Sequence, residues 1–251
     1  MNQPDISVIT IVYNGEDVIE ETILSVLQQA DVNVEYIIID GQSTDGTVEI
    51  VKKYLSDIDH FVSEKDYGIS DAFNKGLKLA TGKYINILNA GDVFANPQTL
   101  SSIRSDLNYD IVSFAHSSFN DREKISKPID SQNVFTRRAL INHQATFVLK
   151  TVYDRFGGYS LSYKIRMDYD FFLRVLPRTQ LKYIHKIVVH YQAGVSGAVK
   201  NKIRYELEGI TAEYLNLRKS NTYILRMLYI PIINLSKYLL ILLRDKIRGF
   251  A

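Results

Sequence analysis

Carboxylates recur just beyond apolar runs in this chain. Asp40 ends VEYIIID, Asp66 follows the short run His60 to Val62, and Asp92 closes NAGD after YINIL. Two more, Asp168 and Asp170, stand close together in RMDYDFFLR, while His143 and His190 lie apart from any acidic cluster. An aspartate can accept a hydrogen bond from a base, share a divalent cation with phosphates, or take a proton from a hydroxyl. Which of these each residue does depends on the elements that carry it.

Ile6 to Val12 reads as a strand, followed by a turn at Asn14 and Gly15 and then Val18, Ile19, Ile23, Val26 and Leu27 at helical spacing. The unit repeats. Val34 to Ile39 reads as a strand, apolar but for Glu35, and STDGTVEIVKKYL supplies capping residues before a helix with Val48, Val51 and Leu55 on one face. His60 to Val62 reads as a short strand, Ile69 to Leu79 as a helix and Lys83 to Leu88 as a strand. Further on, the pattern predicts strands at Asp110 to Ala115, Thr146 to Leu149 and Leu181 to Val189. It predicts helices at Asp168 to Val175 and Val199 to Leu217, and a polar hairpin or loop over 117–133. Strands that are apolar at every position need cover on both faces, which implies an α/β fold built on a parallel sheet. In such a sheet ligands bind beyond the carboxyl ends of the strands, where these polar residues fall.

Composition narrows the class. The 251 residues are 46% hydrophobic and 23% charged, with a formal net charge of +2 and no cysteine. That is globular composition, and it excludes disulfides, thiolate metal sites and cysteine nucleophiles. The opening MNQPDISVIT lacks the basic and long apolar segments of a secretion signal, so a cytoplasmic location is expected.

Two phosphate motifs fail on spacing. GLKLATGKY places five residues between Gly76 and Gly82 where a P-loop has four, and no Gly-x-Gly-x-x-Gly follows the first strand. Asp40 in IIIDGQSTDGT leaves open a phosphatase of the haloacid dehalogenase type, although Gln42 stands where the partner acid is expected. A plain turn-capping role for Asp40 stays open as well.

Taken in order, SVITIVYNGEDVIEETILSVLQQ, EYIIIDGQSTDGT, SEKDYGISDAFNKGLKLATGKYINILNAGD and HQATF with GGYSLSYKIRMDYDFFLR resemble the inverting family 2 glycosyltransferases. The resemblance covers most of residues 5–176. It implies a GT-A-like, Rossmann-type sheet, mostly parallel and covered by helices, and a nucleotide-sugar donor, with UDP expected. It puts the base on Asp40, with Thr10, Val12, Tyr13 and Asn14 lining the same pocket through backbone and ring stacking. Asp66 precedes a turn, and Asp71, Asn74 and Lys75 share the face of a helix toward ribose or donor sugar. Asn89, Ala90, Gly91 and Asp92 match the strand-end motif that holds Mn²⁺ or Mg²⁺ near the diphosphate. Only the last acid is kept, so Asp92 is the expected metal ligand, with His190 approaching from beyond the last strand. Aligning on DYDFFLR makes Asp168 the general base, against an N-cap role. His143, Gln144 and Asp170 fall to the acceptor side.

Residues 1–217 thus form the expected catalytic domain, and 218–251 a separate basic, apolar segment. NTYILRMLYIPIINLSKYLLILLRDKIRG is interrupted by Arg226, Pro231 and Lys237, which suits amphipathic helices lying in a membrane interface better than a spanning helix. Packing on the catalytic domain or on a second subunit is the alternative. The expected partners are a nucleotide sugar, a saccharide or lipid-linked saccharide acceptor, an anionic membrane at its cytoplasmic face and a possible second copy, without nucleic acid. A scaffold that binds nucleotide sugar without turnover is the non-enzymatic alternative.

Overall fold

The computed structural model describes residues 3–118, 121–125, 141–191 and 201–217. Its first half alternates strand and helix: β1 (Ile6–Val12), α1 (Ile19–Leu27), β2 (Val34–Asp40), α2 (Thr47–Lys52), β3 (His60–Ser63), α3 (Ile69–Leu79) and β4 (Tyr84–Ile87). These strands lie parallel in the order β3-β2-β1-β4, with Ile9 beside both Ile37 and Ile87. All four therefore deliver their carboxyl ends to one edge.

The second half contains β5 (Val93–Phe94), α4 (Thr99–Ile103), β6 (Ile111–Ser118), β7 (Asp121–Ile125), β8 (Thr146–Leu149) and α5 (Lys150–Phe156). It ends with α6 (Met167–Val175), β9 (Leu181–Tyr191) and α7 (Lys202–Leu217). Antiparallel β8 joins β4, and the nine-stranded sheet continues through β6, β9 and β5, with β7 paired to β6.

Side-chain alternation explains why both faces are covered. Ile37 and Ile39 of β2 face a layer containing Phe73 of α3 and Phe171 of α6, whereas Tyr36 and Ile38 face Ile19 and Ile23 of α1. Each of these aliphatic residues is fully buried, which stabilises the fold by about 1.5–3 kcal/mol per side chain. Gly76 lets α3 settle on β1, since a Cβ there would lie 2.4 Å from a methyl of Ile9.

Several elements differ from expectation. Helix α2 stops at Lys52, and Leu55 sits 45% exposed in a 3-10 turn, because the chain turns there to bury Ile58 ahead of β3. The expected strand at Asp110 to Ala115 extends to Ser118, where it pairs antiparallel with β7 as the first part of the expected hairpin or loop. Strand β5 and helices α4 and α5 had no expectation. The start of the 199–217 helix and the whole of 218–251, including its amphipathic helices, lie outside the described residues. Among the described residues no helix is long and apolar enough to cross a membrane.

Candidate active site

After β4 the chain makes a tight turn, Asn89 to Asp92, closed by Asp92 N–H donating to Asn89 O at 3.0 Å. Gly91 has φ 93° at the third position, which the turn type requires and which a β-carbon would resist. Thr22 of α1 clamps this turn: its Oγ1 accepts from Gly91 N at 2.9 Å and donates to Asp92 O at 3.0 Å. Asp92 is 4% exposed. The turn then enters β5, whose Val93 pairs with His190 on β9, so His190 stands opposite the residue that follows Asp92. The His190 Nδ1 lies 2.7 Å from Ser117 Oγ. No cluster of three His, Asp or Glu side chains able to hold an ion occurs among the described residues.

At the ends of β1 and β2 the expected pocket divides into core and cleft. Thr10 is buried with its Oγ1 3.2 Å from the Tyr36 hydroxyl, and Val12 is 6% exposed, so their side chains belong to the sheet core and leave the cleft only backbone. Burial pushes the Tyr36 phenol far above its ordinary range, only partly offset by Thr10. Tyr13, by contrast, is 63% exposed. Asn14, at φ 49°, fastens two loops together: its Oδ1 accepts from Thr44 N at 2.9 Å and its N–H donates to Ser43 Oγ at 2.8 Å.

Asp40 is fully buried and accepts from Ser43 N at 3.1 Å, from Ser63 Oγ at 2.6 Å and from the Ser43 hydroxyl. Asp66 accepts from Gly68 N at 2.7 Å through Oδ1. Its Oδ2 occupies the space where a side chain at residue 41 would begin, 2.5 Å from an ideal Cβ on Gly41, and the Tyr13 ring lies 3.4 Å from the same point. Glycine at 41 is therefore what lets a carboxylate meet an exposed aromatic ring at the cleft floor.

Of the α3 residues, Asp71 accepts from Tyr67 N at 3.1 Å and pairs with Lys75 at 3.4 Å, while Lys75 also reaches Glu64 at 2.9 Å. Burial alone would lower the Lys75 ammonium, but the Glu64 and Asp71 carboxylates outweigh it and raise it. Asn74 turns instead to the backbone of Tyr159. The shared face holds loops in place.

The acceptor side is built by two turns. A 3-10 turn, His143–Ala145, is capped by the Asn142 side chain, which accepts from Gln144 N at 3.0 Å and Ala145 N at 3.3 Å. Gln144 itself gives its carbonyl to Asn86 Nδ2 at 2.9 Å. His143 Nδ1 lies 3.4 Å from Asp168 Oδ2, and its Nε2 lies 3.1 Å from Asn89 Nδ2. Asp168 sits in the first turn of α6, where the helix dipole favours a carboxylate. Asp170 departs from expectation: it is 5% exposed on the other side of α6, bound to Arg174 at 3.0 Å and to Asn216 of α7 at 3.0 Å. Two positions along a helix turn a side chain away by more than a right angle. A cavity of about 560 Å³ between α6 and α7 lies on this Asp170 side, behind the helix, and is not the cleft at the strand ends.

The loop that leads into α6 is fixed from α7. Glu208 accepts from the consecutive backbone N–H groups of Lys164, Ile165 and Arg166 at 3.0, 2.8 and 3.0 Å. Arg166, 2% exposed, is stacked between the rings of Tyr169 and Tyr205 at 4.0 and 4.3 Å. Sequence reading missed Glu208, which has no local signal.

Asp168, His143, Asn89 and the turn carrying Asp92 thus stand together beyond the strands, beside the Tyr13 and Asp66 floor. Similar arrangements of chain are known. Residues 7–164 match the sequence profile of Glycosyl transferase family 2. A PGL/p-HBAD biosynthesis glycosyltransferase of Mycobacterium tuberculosis is 27% identical over 217 residues, covering 80% of this chain and 83% of that protein. An uncharacterized glycosyltransferase of Haemophilus influenzae is 39% identical over 99 residues, 38% of this chain and 40% of that one. Among solved structures, S. aureus TarS 1-349 in complex with UDP-GlcNAc superposes with TM-score 0.69 at 16% identity, covering 86% of this chain and 67% of that one. The mannosyltransferase PcManGT from Pyrobaculum calidifontis, in complex with GDP-Man and Mn²⁺, gives TM-score 0.67 at 19% identity, with 88% and 66% covered. The chain spans about two thirds of the length of these solved neighbours. At such identities the neighbours show the fold, that of the GT-A glycosyltransferases, and the profile, which spans more than half of the sequence, shows the family: this chain belongs to glycosyl transferase family 2.

Proposed function

We propose that this chain is an inverting transferase that moves a sugar from a nucleoside diphosphate sugar, expected to be UDP-linked, to a hydroxyl of a saccharide or lipid-linked saccharide in cell-surface polysaccharide synthesis. The observation that carries it is the line from Asp168 through His143 to Asn89, which links a carboxylate to the turn that ends at Asp92. The neighbours' complexes with UDP-GlcNAc and with GDP-Man and Mn²⁺ support a donor of this class.

In this reaction Asp168 takes the proton of the acceptor hydroxyl, and the freed oxygen attacks the anomeric carbon from the side opposite the diphosphate. The bond from that carbon to the diphosphate oxygen breaks, and the nucleoside diphosphate leaves. An α-linked donor gives a β-glycoside. Tyr13 stacks on the base over Gly41, whose N–H is held by Val12 O at 2.9 Å. Asp40 shares its carboxylate among Ser43, Ser63 and the base, with Asp66 as the second acceptor beside the ring. Asp71 and Lys75 keep the β3–α3 loop closed around the ribose.

The donor set offers one carboxylate, Asp92, with His190 nearby on β9, and this fits Mn²⁺ or Mg²⁺ only with phosphate and water as the remaining ligands. When bound, such an ion neutralises charge developing on the diphosphate. The phosphatase alternative loses its support, because residues 7–164 match glycosyl transferase family 2. Segment 218–251 is proposed to rest on an anionic membrane at its cytoplasmic face, which would bring a lipid-linked acceptor near Asp168, or to join two copies.

Turnover of UDP-sugars with and without Mn²⁺, on lipid-linked and free saccharides, tests the reading. Nucleotide binding by calorimetry without transfer to any acceptor would instead support the scaffold reading that the single metal-site carboxylate suggests.

A further inference from the structure

We infer that His143 is a positioning residue for Asp168, fixed in one tautomer and setting the spacing between the general base and the diphosphate turn, rather than a contact for the acceptor. The inference rests on the transfer reaction proposed above and assigns a role inside it.

Both ring nitrogens are already engaged. Nδ1 lies 3.4 Å from Asp168 Oδ2, and a carboxylate only accepts, so a proton on this nitrogen is what would make the contact attractive. Nε2, 3.1 Å from Asn89 Nδ2, then accepts from the amide. With the proton on Nδ1, both nitrogens face protein groups rather than a sugar hydroxyl. The ring plane is fixed too: Phe73, 1% exposed, packs edge-on with centroids 5.6 Å apart, and the Asn142 cap holds the turn that carries the residue. Asn89 begins the turn that ends at Asp92. One imidazole therefore bridges the residue that removes the proton and the turn that faces the leaving group. In-line displacement is sensitive to that spacing, and small misplacements of a catalytic group lower the rate by about 10²-fold.

The test uses the full-length protein. Asn at 143 keeps a donor near the Nδ1 position, Gln places one near Nε2, and Ala keeps none. We expect H143A and H143Q to lower kcat on the order of 10²-fold while KM for donor and acceptor stay within about twofold. H143N should recover to within roughly tenfold of wild type. In a D168A background H143A should cause no further loss. A rise in acceptor KM at unchanged kcat, or the same loss with and without Asp168, would overturn the inference.

Histidine nitrogen NMR at alkaline pH decides the tautomer without substrate, the His143 signal being assigned by its disappearance in H143N. Wild type should show Nδ1–H, and D168A should shift the ring toward Nε2–H; an Nε2–H ring in wild type sinks the inference. A wild type with the expected tautomer but no transfer from any nucleotide sugar would refute the proposed function and leave the Asp168 contact standing.

Discussion

Asn74 grips the peptide groups of Tyr159 from both sides: its Oδ1 accepts from Tyr159 N at 2.8 Å and its Nδ2 donates to Tyr159 O at 2.8 Å. The side chain stands in for a neighbouring strand and pins the loop before α6 to α3. Gly158 is part of the fit, because a Cβ there would lie 2.3 Å from Asn74 Oδ1.

Removing this clasp should cost stability before chemistry. N74A leaves two half-buried peptide groups without partners, and we expect a loss of about 1–3 kcal/mol from urea unfolding. N74D keeps the acceptor and sets a carboxylate against the Tyr159 carbonyl, so it should be no better than alanine. Equal stability of N74D and wild type would contradict the clasp.

The two aspartates of α6 should separate cleanly. D168N is expected to lower kcat by about 10²–10⁴-fold with UDP affinity by calorimetry nearly unchanged. D170N, which removes the carboxylate that Arg174 and Asn216 share, should lower the unfolding free energy by about 1–3 kcal/mol instead. A D170N protein with native stability and no activity would return Asp170 to the active site.

Metal dependence can be read from Asp92. With a single protein carboxylate in the site, D92N should raise the Mn²⁺ concentration for half-maximal activity by at least about tenfold, and a chelator should abolish wild-type turnover reversibly. His190, tied by Nδ1 to Ser117, should matter less, so H190A is expected to shift the same midpoint by only about two- to threefold. Identical titrations for D92N and wild type would remove Asp92 from the metal site.

Acid should loosen the α6 approach through Glu208. Burial would raise this carboxyl, but the N–H groups of Lys164, Arg166 and Ile165 and the Arg204 guanidinium outweigh it and hold it below its ordinary range. A folded-state pKa below the unfolded one stabilises fully above the ordinary glutamate value of about 4.3, and that contribution disappears as pH falls through the lower folded value. Glu35, buried on Ser7, Thr81 and Gly82, is lowered in the same sense and acts in the same window. Urea midpoints from pH 7 to 3 should therefore fall more steeply for wild type than for E208Q, which starts less stable. Parallel curves would show that Glu208 is not linked to folding.

Much of the first half was legible because local signals there agree with one another. Val34 to Ile39 is apolar at every position but Glu35 since both faces are covered, and Gly76 and Leu79 fit the helical pattern that lies on β1. The second half resisted for a physical reason. Strand β5 is two residues long and exists because β9 pairs with it, so Val93 and Phe94 have no period to read. Helix α4 is five residues, too short for a repeating face. The strand-end carboxylates were visible as types in places, but the partners that hold the α6 pair were not. Asp168 and Asp170 differ only in which side of one helical turn they occupy, and the His143 contact joins residues far apart in sequence.

The exposed ring of Tyr13 has a practical consequence. The chain contains no tryptophan, so Y13W would give it a single indole, standing on the cleft floor beside Gly41 and Asp66. Its emission would be an optical reporter of occupancy at the far end of the donor from the chemistry, with no background from other indoles. Titrating that one fluorophore with UDP, GDP and their sugars would rank the donors of this enzyme directly by the light they quench.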